Sequence, residues 1–229
     1  MKDKLKLVIF DMDGLMIDSE SICVKAWEKT MKNFGLEIEK DFFKDVIGSS
    51  ADILRKKMDN ILKERFDFME VLQSQRKTAA EIVDKEGIER KIGILELLDY
   101  LDKNNIKKAV ATSSFREKTE RYLKITGLNG RFDYIICGDE VEKPKPAPDL
   151  YNNAYSHFNI GKENIIILED SLNGLNSAKF AGIEKRIYIP DLVILSEHQE
   201  KELTYMKFKS LIEVKNLSLI HISEPTRPY

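Results

Sequence analysis

The chain has 229 residues, of which 42% are hydrophobic and 33% charged, and its formal net charge at pH 7 is −2. That balance is ordinary for a globular protein, and so small a charge offers no bulk attraction to nucleic acid or to an anionic membrane. No apolar stretch approaches the length of a membrane span, and the two cysteines, Cys23 and Cys137, form no disulfide framework. We therefore expect a cytoplasmic monomer that binds neither nucleic acid nor a membrane.

The first predicted element is a short strand at residues 7–10, which ends in two carboxylates, Asp11 and Asp13, followed by Gly14. Four apolar residues between polar flanks indicate a buried strand of a parallel sheet, and the ligand crevice of such a sheet lies beyond the strand ends. Two clustered acids are costly unless a cation joins them, and Mg²⁺ is the natural partner of oxygen ligands. This stretch alone leaves open a surface turn rich in Asp and Gly.

A block of predicted helices follows the acidic strand end. Apolar residues at helical spacing predict a helix that contains Cys23, Trp27, Met31 and Phe34, a second helix over 54–66, and a third over 71–85. Residues 15–88 contain no convincing strand. The apolar residues of each predicted helix form a stripe along one face. Because burial is the usual role of aromatic and Met side chains, these apolar stripes favour a hydrophobic core over a ligand site.

Beyond residue 90 the predicted helices alternate with apolar strands. The strands lie at 108–112, 134–137, 165–168 and 186–189, and the helices at 94–101, 115–126, 149–158 and 171–181. This alternation predicts right-handed βαβ units and an α/β fold with a doubly wound parallel sheet. Because the helical block separates the first strand from the others, we expect an α/β core of residues 1–14 and 89–216, with a helical domain inserted at 15–88.

The last residues match no pattern in the preceding chain. Residues 217–227, LSLIHISEPTR, look like a straight translation of the transposon-adapter sequence used in DNA library preparation. We expect the natural reading to stop near Asn216 and residues 217–229 to be a non-native tail that takes no part in the fold. His221 is then not a candidate for a functional site.

Residues that can carry chemistry follow four of the predicted strands. They are Asp11 and Asp13, then Thr112 with Ser113 and Ser114, then Lys145 between two prolines, and last Glu169 and Asp170. Taken one at a time, each could have an ordinary structural role instead. Thr112 could be a turn residue, Lys145 a solvated loop lysine, and Glu169 with Asp170 a pair of acids that complement a helix dipole. Parallel strand ends converge on one crevice, so their combination in this order indicates a single site.

These residue types suit phosphoryl transfer. A carboxylate such as Asp11 can attack phosphorus, and a second one, Asp13, can protonate the leaving oxygen and later deprotonate water. Thr112 offers a hydroxyl and neighbouring backbone N–H groups to a phosphate, and Lys145 offers a compact positive charge. The last pair, Glu169 and Asp170, can complete an oxygen shell for Mg²⁺.

The motifs DMDGLMIDS, ATSS, KPKPAPD and LEDSLNG occur in this order. With them the chain resembles the haloacid dehalogenase superfamily, in the β-phosphoglucomutase-like group of small phosphatases with a helical cap, up to about residue 190. The resemblance implies a Rossmann-like core and a cap that closes over the substrate. It makes Asp11 the nucleophile and Asp13 the acid/base, with Thr112, Ser113 and Lys145 as phosphate ligands. It also implies a Mg²⁺ site formed by Asp11, the backbone carbonyl of Asp13, Glu169 and Asp170.

Three positions depart from the pattern of β-phosphoglucomutases. Cys23 stands where those enzymes have a cap histidine, Ala51 stands where they have a cap arginine, and KIGILELL lacks the usual proline before Gly93. We therefore predict a Mg²⁺-dependent phosphatase for a small phosphorylated metabolite in the sugar phosphate class. The alternatives are a phosphomutase and a non-catalytic binding protein. Dehalogenase chemistry is disfavoured because Asp13 supplies the acid/base that ester cleavage needs.

Overall fold

The computed structural model describes residues 5–37, 42, 51–62 and 65–216, and the predicted tail at 217–229 lies outside them. The chain divides into two compact units, one of residues 1–17 with 90–229 and one of residues 18–89. From the sequence we expected the inserted helical domain to span residues 15–88, whereas the second unit spans residues 18–89. The difference arises because Leu15, Met16 and Ile17 are buried and tied to the first unit, where the carbonyl of Met16 accepts a hydrogen bond from Lys91 at 2.9 Å.

The first unit contains a parallel sheet, so the predicted α/β class is confirmed. Within the described ranges its strands are β1 Leu7–Phe10, β2 Lys107–Ala111, β3 Tyr134–Ile136, β4 Ile165–Glu169, β5 Arg186–Tyr188 and β6 Met206–Lys207. The spatial order is β3-β2-β1-β4-β5-β6, and every neighbouring pair is parallel. The central strand β1 pairs with both β2 and β4, so the sequence-distant ends of these three strands lie side by side.

The helices are α1 Ser19–Asn33, α2 Ala51–Leu62, α3 Phe68–Glu86, α4 Ile94–Lys103, α5 Arg116–Ile125, α6 Asp149–Phe158, α7 Leu172–Phe180, α8 Glu197–Leu203 and α9 Leu211–Asn216. The second helix ends at Leu62, four residues before the predicted end at Phe66. The elements α8, β6 and α9 were not predicted, because each is short and none carries a clear apolar period. None of the helices in the described part of the chain is both long and apolar enough to cross a bilayer.

The core of the sheet fixes the two strands whose ends carry carboxylates. Every residue of β1 and β4 is buried, as expected for strands covered on both faces. Alternate residues, Ile9 and Ile167 among them, join one cluster with Tyr151 of α6 and Ala178 of α7. Burying one aliphatic side chain contributes about 1.5–3 kcal/mol. The carboxyl ends of β1 and β4 are therefore rigid supports.

The second unit has its own apolar core. Trp27 and Met31 of α1 pack with Met58 of α2 and Val71 of α3. Cys23 packs against this cluster, and its sulfur lies 3.6 Å from Nε2 of Gln75, in keeping with its position on the predicted apolar stripe. The side chain of Ala51, the other departure from the mutase pattern, lies outside what the structure describes.

Candidate active site

The carboxylate of Asp11 lies at the end of β1 and contacts a buried lysine. The chain leaves the sheet here with the N–H of Asp11 still bonded to the carbonyl of Leu168 at 3.1 Å. Nζ of Lys145 lies 2.5 Å from Oδ1 of Asp11 and 2.6 Å from Oε1 of Glu169. Exposed fractions of these side chains are 4% for Lys145, 11% for Asp11 and 0% for Glu169. One buried cation therefore bridges two carboxylates from neighbouring strands.

Burial and charge act in opposite directions on this pair. Removal from water raises the pKa of Asp11 to about 7, an effect that Lys145 opposes and that the nearby Glu169 and Asp13 reinforce. Burial alone would lower the pKa of Lys145, but Asp11 and Glu169 together raise it above its ordinary value. The lysine is therefore held as a cation, positioned to compensate negative charge at the end of β1.

The segment that carries Lys145 is tied to the core on both sides. Two backbone carbonyl groups of this segment accept hydrogen bonds. The carbonyl of Pro144 accepts from the N–H of Ala147 at 3.0 Å, and the carbonyl of Ala147 accepts from the hydroxyl of Ser177 in α7 at 2.6 Å. The N–H of Lys143 bonds to the side chain of Asp149, the first residue of α6, at 3.2 Å. These contacts, with a proline on either side, fix the backbone from which the lysine projects.

Glu169 is surrounded by donors. Oε1 accepts from Lys145 and from the hydroxyl of Tyr151, each at 2.6 Å. Oε2 accepts from the N–H of Asp170 at 3.1 Å and from the N–H and hydroxyl of Ser171 at 3.2 and 3.1 Å. Two donors on one oxygen and three on the other exceed the roughly four lone-pair positions of a carboxylate. Glu169 is thus fixed more completely than Asp11 beside it.

The residues at the ends of β1 and β4 fit a hard divalent cation. Among the described residues, one carboxylate oxygen each from Asp11, Glu169 and Asp170 lies within 4.8 Å of the other two. Gly14 has a φ of +79°, and a methyl group in its place would lie 2.1 Å from Oδ2 of Asp170. Only a glycine accommodates both that backbone conformation and the close carboxylate. Three oxygen donors around a glycine turn are chemically suited to Mg²⁺, which binds through oxygen.

Asp13 is held by a different set of groups. Oδ2 accepts from the hydroxyl of Ser114 at 2.6 Å and lies 3.5 Å from the hydroxyl of Thr112. Oδ1 lies 3.0 Å from Nζ of Lys118, in the first turn of α5. The chain turns after β1, so Asp11 and Asp13 have separate partners although strand pleating alone would point them the same way. The side chain of Asp13 is 28% exposed.

The β2–α5 connection supplies the hydroxyl groups of the site. Thr112, directly after β2, is buried, and its Oγ1 accepts from the N–H of Ser114 at 3.1 Å. Ser113 is exposed, and a methyl group on Gly138 would lie 2.3 Å from its carbonyl oxygen. The hydroxyl that contacts Asp13 therefore belongs to Ser114, whereas the expected phosphate ligand Ser113 is an exposed residue.

Three residues with contacts in this site were absent from the sequence-predicted set. Ser114 was noted behind Thr112 without a role, and Lys118 lies four residues after Ser114, in the first turn of α5. Tyr151 lies in α6, where a fully buried tyrosine usually has a partner for its hydroxyl. That general expectation is the only sequence signal for Tyr151, because its partner Glu169 comes from another element.

The chain is similar to known proteins over most of its length. The protein-family model described as "Haloacid dehalogenase-like hydrolase" matches residues 8–187 of this chain. The chain is 30% identical to a phosphorylated carbohydrates phosphatase of Thermotoga maritima over 187 aligned residues. The alignment covers 80% of this chain and 84% of the relative. Over 219 residues it is 25% identical to a phosphoglycolate phosphatase of Aquifex aeolicus, which covers 94% and 99%. A crystal structure of β-phosphoglucomutase from Clostridium difficile has the same fold, with a TM-score of 0.73 at 20% identity and coverage of 96% and 97%.

Proposed function

This chain belongs to the haloacid dehalogenase-like hydrolase family, and we propose that it is a Mg²⁺-dependent phosphatase that hydrolyses a small phosphorylated metabolite through an aspartyl phosphate. The observation that carries the proposal is the buried carboxylate of Asp11, with Lys145 on one oxygen and with a carboxylate oxygen of Asp170 close enough to share a metal ion with Asp11. A nucleophile for a phosphate dianion needs nearby positive charge, since two anions otherwise repel.

In this proposal Oδ2 of Asp11 attacks phosphorus while Lys145 holds Oδ1. Asp11, the backbone carbonyl of Asp13, Asp170 and Glu169 would hold Mg²⁺, which supplies charge neutralisation for the approaching phosphate. Because donors already occupy both oxygens of Glu169, we assign the closer metal contacts to Asp11 and Asp170. Lys145 serves both the nucleophile and a phosphate oxygen.

Asp13 acts as the acid/base on the other side of the reacting phosphorus. It gives a proton to the leaving oxygen as the P–O bond breaks, and it later takes a proton from the water that attacks the aspartyl phosphate. Thr112 and the backbone N–H groups after β2 bind the phosphate oxygens. We assign the contribution of Ser113, an exposed residue, to its backbone N–H.

We assign the substrate to the phosphorylated carbohydrates and water as the final acceptor. The relative from Thermotoga maritima acts on phosphorylated carbohydrates by its name, which supports this class. Cys23, at the position of the mutase histidine, packs against the core of the helical unit, and a side chain engaged in packing is poorly placed to orient a sugar. The fold shared with a β-phosphoglucomutase keeps a phosphomutase as the second candidate.

The test is a screen of phosphorylated metabolites with Mg²⁺, scored by release of inorganic phosphate. β-Glucose 1-phosphate with a trace of the bisphosphate then separates the two candidates. We expect free phosphate to form faster than glucose 6-phosphate; the reverse order would establish the mutase. If neither product forms from any ester, the chain is a non-catalytic binding protein, and the intact set of carboxylates and Lys145 needs another explanation.

A further inference from the structure

We propose that Lys118 is a positioning residue that orients the carboxyl group of Asp13 for proton transfer to the leaving group. This inference rests on the proposed function and extends it to a residue outside the four sequence motifs. Nζ of Lys118 lies 3.0 Å from Oδ1 of Asp13 and 2.9 Å from Oγ of Ser114, whose hydroxyl donates to Oδ2 of Asp13 at 2.6 Å. The three side chains form a closed triangle.

A closed triangle fixes the plane of a carboxyl group in a way that one contact cannot. A single donor leaves the group free to rotate about the Cβ–Cγ bond, but donors on both oxygens, themselves bonded to each other, resist that rotation. Proton transfer is efficient only when the carboxyl oxygen lies within hydrogen-bond reach of the leaving oxygen. When Asp13 has given up its proton, the ammonium group of Lys118 faces the carboxylate that results.

The geometry of α5 explains how the lysine reaches this position. Ser114 lies two residues before the helix begins at Arg116, and Lys118 lies in the first turn of the helix. Within the helix, Lys118 and Tyr122 are four residues apart and share a face. One turn further on, the ring of Tyr122 lies 5.2 Å from Nζ of Lys118. This contact between a cation and a ring face helps to hold the ammonium group in place.

A role in stability does not explain a lysine at this position. Lys118 lies in the first turn of α5, where the helix dipole favours acidic side chains and disfavours cations. The ion pair with Asp13 is partly exposed, with 43% of the lysine side chain accessible, and such pairs contribute little to folding. The contact between Lys118 and Asp13 is therefore better explained by its effect on the orientation of the Asp13 carboxylate than by stabilisation of the helix.

The test compares two classes of substrate in Lys118→Met. An alkyl phosphate, such as the best sugar phosphate of the screen, needs a proton on its leaving oxygen, whereas p-nitrophenyl phosphate releases a stable anion. The quantity measured is kcat/KM, which covers steps up to the departure of the leaving group and excludes the breakdown of the aspartyl phosphate. We expect kcat/KM for the alkyl ester to fall about 10-fold or more further than for the nitrophenyl ester, a part of the roughly 10²–10⁴-fold that general acid–base catalysis typically contributes.

Two matched variants complete the design. Lys118→Arg keeps a cation that can reach Asp13 and should restore most of the alkyl ester activity. Lys124→Met removes an exposed lysine from the last turn of the same helix and should leave the ratio of the two substrates unchanged. Equal loss on both substrates in Lys118→Met, or no loss, would overturn the inference. Absence of phosphate release by the wild-type protein from every ester would instead refute the proposed function.

Discussion

Asp11 and Asp13 lie two residues apart on one turn, and a lysine contacts each, yet their surroundings contrast. The partner of Asp11 is Lys145, 4% exposed and shared with Glu169, whereas the partner of Asp13 is Lys118, 43% exposed and shared with Ser114. A buried pair cannot lose one member without leaving an uncompensated charge, but an exposed pair is screened by water and salt. The contrast suits the proposed roles, in which Asp11 is a fixed nucleophile and Asp13 an acid/base that exchanges protons with substrate and water.

The largest expected effect comes from removal of the nucleophile. Asp11→Asn keeps the size of the side chain, but an amide cannot form an acyl phosphate. We expect phosphate release to fall by about 10³-fold or more, the order of loss seen when a catalytic nucleophile is removed. Circular dichroism and gel filtration of the variant check that it is folded. A folded variant that retains turnover above a small fraction of the wild type would remove Asp11 from this role.

The two lysines allow the contrast in burial to be tested through stability. Lys145→Met leaves Asp11 and Glu169 buried without their cation, and we expect the free energy of unfolding to fall by about 3–5 kcal/mol. For a chain of this size that corresponds to a melting temperature lower by about 10 °C. Lys118→Met serves as the control and should change the stability by about 1 kcal/mol or less. Equal melting temperatures for the two variants, in metal-free buffer at neutral pH, would contradict the contrast.

Removal of a metal ligand should shift the requirement for Mg²⁺ rather than abolish folding. Three carboxylates at neighbouring strand ends need cationic compensation beyond Lys145, so we expect activity to disappear in excess chelator. Loss of an outer-shell partner alone typically costs about 10-fold or more in metal affinity, so Asp170→Ala, which removes a proposed ligand, should raise the concentration of Mg²⁺ needed for half-maximal activity by at least about that factor. A direct titration of Mg²⁺ by calorimetry checks the same change without turnover. Full activity in chelator, or unchanged binding of Mg²⁺ in the variant, would refute the metal assignment.

The central strands could be predicted because β1 and the first four residues of β4 are unbroken apolar runs that end abruptly in polar residues. Their short length and polar flanks, rather than any periodicity, identify them as buried strands. The short C-terminal elements lack such a signal. The early end of α2 has a specific cause: Phe66 packs on the same core as the helix but does so from beyond its end, with its ring 5.0 Å from that of Phe34. Apolar spacing alone could not distinguish a Phe66 within the helix from a Phe66 that packs on the same core from beyond the end of the helix.

Much of the site was predictable because its residues end or directly follow strands, and Lys145, further along its loop, was predicted from its place between two prolines in the motif KPKPAPD. The topology of a parallel sheet brings Asp11, Thr112, Glu169 and Asp170 to one edge whatever the side chains do. Contacts made by helix residues, such as those of Tyr151 and Lys118, depend on how each helix rotates against the sheet. A single sequence does not specify that rotation, so these partners became visible only in three dimensions.

The central claim is that Asp11 receives the phosphoryl group. The direct test uses Asp13→Asn, in which the base that activates water is absent, so that the phosphoenzyme formed from p-nitrophenyl phosphate and Mg²⁺ should accumulate. After an acid quench, the account predicts the mass of one added phosphoryl group, located by peptide fragmentation on Asp11 and absent from the double variant Asp11→Asn, Asp13→Asn. A phosphoryl group on any other residue, or nitrophenol release by Asp13→Asn at the wild-type rate with no phosphoenzyme, would contradict it.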